Sequence, residues 1–215
     1  MSPCGRVQLF ILIAVFGMAQ SARKLGDLEI ENTAFFLCDM QEFFKPAVKN
    51  FAGVEEASKK MIAAANIYKI PLYVSEHEPS IYGSTVKSLT LGDNSFVYQK
   101  DTFSMWTLEL KEKIKKSGRK IETIVIFGVE THICIEQTVI DLIKEGFEVH
   151  VVADGVSSRS LMDRALALQR FQLLGAFVES SESCLYKLLK TTQHAHNQAI
   201  TDLLLTPLPE EFGKA

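Results

Sequence analysis

The 215-residue chain is 47% hydrophobic and 23% charged, with a formal net charge of -3; this fits one globular domain with a single sizeable core and excludes disordered and collagen-like chains. Its charges are well mixed, with no basic stripe to hold phosphates, so the expected partner is a small-molecule substrate and not a nucleic acid. The four cysteines, Cys4, Cys38, Cys134 and Cys184, show no C-x-x-C spacing, which speaks against a disulfide scaffold and against the usual zinc and dithiol motifs.

At the N-terminus Arg6 precedes the apolar run Val7 to Met18, interrupted only by Gln8 and Gly17 and followed by the small residues Ala19, Ser21 and Ala22. This is the pattern of a secretory signal peptide over residues 1–19, with Gly17-Met18-Ala19 as its cleavage signal. The run is short for a bilayer span, so the processed chain is expected in the secretory pathway or outside the cell, with no membrane partner. A mitochondrial presequence calls for several arginines, and Arg6 is the only one among the first 20 residues. Chemistry that needs a free thiol fits oxidising compartments poorly, which keeps a cytoplasmic or mitochondrial destination as the alternative.

From residue 30 onward, short apolar runs alternate with longer helical patterns. This predicts an α/β fold: a three-layer, open, mostly parallel six-stranded sheet with helices on both faces, Rossmann-like in architecture. Thr33 to Cys38 is a continuous apolar run, as a central strand buried on both faces should be. Val54 to Tyr68 is helical, with Val54, Ala57, Met61, Ala64, Ala65 and Tyr68 along one stripe. Pro71 stops that helix and opens a strand, Leu72 to Ser75. Glu76 to Ser95, punctuated by Pro79, Gly83, Gly92, Asp93 and Asn94, reads as loop. Phe96 to Gln99 forms a third strand and Thr107 to Lys116 a helix closed by Gly118; Ile121 to Phe127 is a fourth strand, which Gly128 turns into a helix from about His132 to Lys144. A fifth strand (Phe147 to Ala153), a helix (Ser160 to Leu174), a sixth strand (Ala176 to Val178) and a last helix (Cys184 to Lys190) complete one domain over residues 30–190, with 191–215 as a C-terminal tail.

Ligands of open parallel sheets bind beyond the carboxyl ends of the strands, where loops converge. Three reactive side chains fall there: Asp39 after the first strand, Lys100 after the third and Cys134 just after the fourth. With Thr131 as N-cap, Cys134 sits in the first helical turn, where the helix's positive end and a neighbouring Lys100 would pull a thiol pKa from about 8.5 toward or below neutrality. Asp39, partly desolvated at a buried strand end, suits the task of taking the thiol proton and passing it to a leaving amine. Backbone N–H groups of Glu130 and Cys134 are the candidate oxyanion hole. Singly, each residue type has an ordinary structural use; their order along three strand ends selects the catalytic reading.

The segments Phe36-Leu37-Cys38-Asp39-Met40-Gln41, Gln99-Lys100-Asp101-Thr102-Phe103-Ser104 and Gly128-Val129-Glu130-Thr131-His132-Ile133-Cys134-Ile135 together resemble the isochorismatase-like cysteine hydrolases. That superfamily includes nicotinamidases, N-carbamoylsarcosine amidases and the animal isochorismatase domain-containing proteins, and the last are the nearest in pattern, down to Val156-Ser157-Ser158-Arg159-Ser160. The resemblance covers residues 30–190. It implies the isochorismatase-like fold, an Asp39, Lys100, Cys134 triad and a cis peptide bond between Val129 and Glu130. Isochorismatases proper lack the cysteine and cleave a vinyl ether, so Cys134 points to amide or related C–N hydrolysis. Nicotinamidases hold a metal with an Asp-x-His pair and further His. Here the corresponding loop reads Ser75-Glu76-His77-Glu78-Pro79 and no other His follows before His132, so His77 reads as a loop residue and neither metal nor cofactor is expected.

Gln41, Phe103, Trp106 and Thr131 are the candidate substrate-binding residues. Ser157, Ser158 and Arg159 are expected to finish the pocket rim or to bridge to a second subunit of a homo-oligomer. Cys38 is expected to point into the core and Cys184 to pack a late helix. Two other uses of the same residues are a catalytically idle binding or scaffold protein and a thiol redox sensor. The sensor lacks a resolving cysteine close to Cys134 in sequence.

Overall fold

A computed structural model describes residues 25–208; the leader read over residues 1–19 lies outside the described residues. Six parallel strands, β1 (Thr33–Cys38), β2 (Leu72–His77), β3 (Ser95–Lys100), β4 (Thr123–Val129), β5 (Glu148–Ser157) and β6 (Phe177–Glu179), form one sheet in the order β3-β2-β1-β4-β5-β6. The order reverses between β1 and β4, and a doubly wound sheet opens its ligand crevice at such a reversal.

β1 is buried along its whole length, and its alternating side chains divide between two cores. Phe35 and Leu37 join α1 (Phe51–Tyr68), α6 (Ser181–Leu189) and α7 (Asn197–Leu205) on one face. Ala34, Phe36 and Cys38 join α3 (Leu108–Lys116), α4 (Glu136–Lys144) and α5 (Leu161–Leu173) on the other. Side-chain caps start the helices where the chain chemistry places them: Asn50 accepts from Gly53 N, Thr107 from Leu110 N and Ser160 from Asp163 N.

The described fold is the α/β architecture expected, with two differences. First, the strands run further toward their carboxyl ends than the apolar runs suggest. β2 continues through Ser75, Glu76 and His77, β3 to Lys100 and β5 to Ser157. The ladder is made by backbone groups, and these polar side chains are buried because they partner one another or neighbouring backbone. Hydropathy therefore falls before the strand does. The residues from Glu76 to Ser95, read as loop, also hold a single short helix, α2 (Pro79–Tyr82), with proline at its first turn. Second, the segment read as a C-terminal tail contains α7, whose Ile200 is fully buried against the α1 side of the sheet, with Leu203 and Leu204 packed beside it. A nine-residue helix with one buried residue carries too little periodicity to be read from sequence.

Candidate active site

Asp39 leaves β1 in the left-handed region, at φ 48°. Its Oδ2 accepts from Lys100 Nζ at 2.7 Å and its Oδ1 from Ser75 Oγ at 2.7 Å. The Asp39 and Lys100 side chains are wholly buried. Lys100, the last residue of β3, also donates to the carbonyls of Thr102 and Phe103, each at 3.1 Å. An ammonium has three hydrogens, so these three acceptors hold it in place, with His77 Nδ1 at 3.4 Å and Cys134 Sγ at 3.8 Å. Burial works against charge on Lys100. The neighbouring Cys38, Asp39 and Cys134 groups, and the hydrogen bond to Asp39, outweigh it and raise the pKa above the ordinary lysine value.

Cys134 reaches the site by a different route. The Val129–Glu130 bond is cis, and Thr131–Ile135 makes one wide π-helical turn before α4. The amides of Ile133 and Ile135 both return to Glu130 O, at 3.2 and 3.3 Å. Thr138 Oγ1 donates to Cys134 O at 2.6 Å and accepts from Met105 N at 2.8 Å, so it ties the loop after β3 to the Cys134 turn. Upstream, Gly128 has φ 119°, and a Cβ there would lie 2.1 Å from Cys38 O. Only glycine lets β4 approach β1 this closely.

A cavity of about 270 Å³ opens at Cys134, with Ile133, Glu130 and Arg159 along its wall. Glu130 accepts from Arg159 N and Nη2, each at 2.7 Å, which ties the segment after β4 to the segment after β5. The rest of the wall is aromatic. Phe44, Tyr82, His77 and Phe103 form a near-parallel row with centroid spacings of 5.3, 5.4 and 5.7 Å. Asp39 and Lys100 stand behind this lining, so of these three residues Cys134 is the one that lines the cavity. A wider depression at the amino ends of the strands, lined by Asn32, Thr123 and Glu148 among others, carries no nucleophile.

The Cys38 and Cys134 sulfurs and an Asp39 oxygen all lie within 4.8 Å of one another, a spacing compatible with metal ligation. The Lys100 ammonium contacts both Asp39 and Cys134, so the position a cation would take is held by the protein's own. Glu76, next to His77, accepts from Thr85 N and Oγ1 at 2.7 and 2.9 Å.

The isochorismatase domain profile matches residues 33–183. The chain belongs to the isochorismatase family. Isochorismatase domain-containing protein 1 of Danio rerio is 41% identical over 186 residues, which cover 86% of this chain and 65% of that protein. The chain thus spans just under two thirds of that relative's length. Isochorismatase domain-containing protein 2 of Xenopus laevis is 37% identical over 190 residues, 88% of this chain and 92% of that one. Among solved structures, that of the MAR1 ribonuclease from Caenorhabditis elegans superposes with a TM-score of 0.81 at 34% identity, covering 86% of this chain and 95% of that one. The isochorismatase family lies within a hydrolase superfamily.

Within this isochorismatase-family site, the structure brings together Asp39, Lys100 and Cys134, and it places Phe103 on the cavity wall. Gln41, Trp106 and Thr131 are elsewhere. The fully buried Gln41 amide donates to His77 O and Gly83 O and accepts from His77 N, at 3.0, 2.6 and 2.7 Å, which leaves it a brace under the aromatic row. Trp106 turns away: its Nε1 donates to Glu145 at 3.0 Å and its ring meets Phe147 edge-on at 5.1 Å. Thr131 is not the N-cap. The turn begins after Glu130, which makes no side-chain cap bond, and Thr131 is buried inside the turn with its Oγ1 unpaired among the described residues.

Ser157 and Ser158 are also buried, donating to Lys49 O and contacting His132 Nδ1 at 2.9 Å, and only Arg159 of that segment lines the cavity. His77, read as a loop residue, is 7% exposed at the end of β2 and stacked in the cavity wall. Its flanking glutamates suggested solvent; the parallel ladder carries it inward instead. Ser75 and Thr138 gave no sequence signal, being ordinary hydroxyl residues within a strand and a helix.

Proposed function

We propose that this chain is a cysteine hydrolase that cleaves an amide or related C–N bond of a small molecule through a thioester on Cys134. One observation carries the reading: a cavity-lining cysteine lies 3.8 Å from a buried ammonium, itself paired at 2.7 Å with a buried carboxylate. Asp39, held in place by Lys100 and Ser75, accepts the Cys134 thiol proton. The sulfur then attacks the carbonyl carbon, and the Glu130 and Cys134 amides meet the oxyanion. Asp39 returns the proton to the leaving nitrogen, which departs as an amine. Water attacks the thioester by the same steps, releasing the acid and restoring the thiol. No metal or cofactor enters this scheme, because Lys100 supplies the positive charge.

The cavity volume of about 270 Å³ and its row of flat rings suit a small substrate with a planar or apolar body. The ribonuclease description belongs to the worm protein. RNA binding draws on rows of cations for the phosphate chain; among the described residues lining this cavity Arg159 is the sole Lys or Arg, and Glu130 holds it. The chain is also proposed to assemble with copies of itself, because Met162, Leu166 and Leu173 are 68%, 43% and 87% exposed along one side of α5.

The test is a panel of amides, ureides and esters, with RNA oligonucleotides alongside, assayed against wild type and Cys134→Ala and followed by intact mass. An acyl adduct on Cys134 and turnover lost in the variant are expected. RNA cleavage that survives Cys134→Ala, or no turnover and no adduct on any substrate, overturns the reading. Mass by light scattering above 24.0 kDa, reduced to that value by Leu173→Glu, is expected for the assembly.

A further inference from the structure

Cys38 is a buried nucleophilic group that the proposed hydrolysis does not use. It is fully buried at the end of β1, whereas Cys134 lines the cavity. The two are 96 positions apart in sequence (134 − 38), yet their sulfurs lie within 4.8 Å. The proximity comes from the fold: Gly128 brings β4 against the Cys38 backbone, and the wide turn that follows returns the chain to that point. Both thiols are free. A disulfide of about 2.05 Å requires the sulfurs to close by less than about 3 Å, within reach of side-chain rotation and a shift of the Thr131–Ile135 turn.

We infer that Cys134 and Cys38 form a peroxide-driven, reversible disulfide, with Cys134 as the reacting thiol and Cys38 as the resolving thiol. The inference rests on the position of the two sulfurs and not on the hydrolase reading. A small hydroperoxide enters the cavity, and the Cys134 thiolate attacks its terminal oxygen. The S–O bond forms and the O–O bond breaks. The peroxide is reduced to water or an alcohol with a proton from solvent, and the Cys134 sulfur is oxidised by two electrons to sulfenic acid. Cys38 then gives up its proton and attacks that sulfur; the S–S bond forms, the S–O bond breaks, and the hydroxide takes up the proton and leaves as water. A dithiol reductant reverses the bond by exchange. Cys38 does not compete for the peroxide, because burial pushes its thiol well above the ordinary value and the cavity lining excludes it. Capture of the sulfenic acid protects Cys134 from the irreversible sulfinic and sulfonic states.

The experiment treats the folded full chain with hydrogen peroxide, blocks remaining thiols after denaturation, and maps peptides without reduction. A linked peptide pair containing Cys38 and Cys134, lighter by two hydrogens and separated by dithiothreitol, is expected. In Cys38→Ala, and in Cys38→Ser as a second variant, Cys134 should instead advance to sulfinic acid, with dithiothreitol-recoverable Cys134 thiol falling about tenfold against wild type. The wild-type arm needs no folded variant. Sulfinic acid on wild-type Cys134 without the link, a link from Cys134 to Cys4 or Cys184 instead, or equal thiol recovery in the Cys38 variants overturns the inference.

Discussion

Two buried ionic groups sit in the same sheet, and they differ in what they face. At the β5–β6 edge His150 is fully buried, its Nδ1 2.5 Å from Glu179 and its Nε2 3.2 Å from Glu148, while Lys187 pairs with Glu179 at 2.6 Å. Phe177 stacks on the His150 ring at 5.0 Å. These groups pair with one another, and among the described residues of this cluster none is a cysteine. At the crevice between β1 and β4, Asp39 and Lys100 are as deeply buried, but they lie behind a cysteine that lines a cavity. Burying charge is costly in both places. What marks a site is a buried pair placed against a cavity-lining nucleophile, not the buried pair itself.

The largest effect expected is at Cys134. Cys134→Ala should reduce turnover by about a thousandfold or more, and Asp39→Asn and Lys100→Ala each by about a hundredfold or more. Lys100→Ala also leaves Asp39 buried without its counter-charge, so the urea midpoint should fall by the equivalent of about 3–5 kcal/mol. Rates are therefore compared per folded molecule. Near-normal turnover in either partner variant removes that residue from the mechanism.

At the other cluster the pattern should invert. Glu179→Gln leaves His150 and Lys187 underpaired and should cost about 1–3 kcal/mol of stability, with turnover per folded molecule within about twofold of wild type. A rate loss as large as that of Asp39→Asn would break the distinction between the two clusters.

Stability against pH sharpens the same contrast. Burial alone would raise the Glu179 pKa, but its bonds to His150 and Lys187 outweigh it and hold the carboxyl below 4.5. Its contribution is present above 4.5 and is lost as pH falls through the lower folded value. Lys100 is raised above 10.5 in the fold, so its contribution is present below 10.5 and is lost as pH climbs through the folded value. Melting curves across pH should therefore lose acid dependence in Glu179→Gln and alkaline dependence in Lys100→Ala. Unchanged slopes in both would detach these groups from stability.

Two smaller effects complete the set. Brief iodoacetamide treatment should label Cys134 well before the fully buried Cys38 and Cys184; equal labelling would show that the cavity does not admit the reagent to Cys134 alone. A chain starting near Ser21 should melt as the full chain does, since the apolar run Val7 to Met18 precedes the first strand in sequence. A lower melting temperature would make residues 1–20 part of the fold. N-terminal sequencing of the native protein reads whether cleavage follows Ala19.

How far the sequence could be read depended on whether its signals were local. Thr33–Cys38 announced a doubly buried strand because six consecutive side chains avoid water. Asp39, Lys100 and Cys134 were legible as candidates because each follows an apolar run in a protein whose strands are parallel, and parallel strands bring their carboxyl ends together. His77 was misread because its polar neighbours imitate a loop, while the β2–β3 ladder that buries it is a pairing with His77 opposite Lys100. Gln41 and Trp106 were misassigned for a related reason. Adjacency to a motif says nothing about which way a side chain turns, and their partners, Gly83 and Glu145, lie 42 and 39 residues away.

The sequence by itself determined the alternation of strands and helices, the two-faced burial of β1 and the reactive residue types at three strand ends, because propensity and hydropathy act between neighbours in the chain. Tertiary structure alone decided that Lys100 would spend its hydrogens on Asp39 and two carbonyls, that four rings would line up beside Cys134, and that Cys38 would come within 4.8 Å of Cys134. Each of these is a distance between segments far apart in sequence. Such distances are set by strand register and by the close approach that Gly128 permits, and no local preference encodes them.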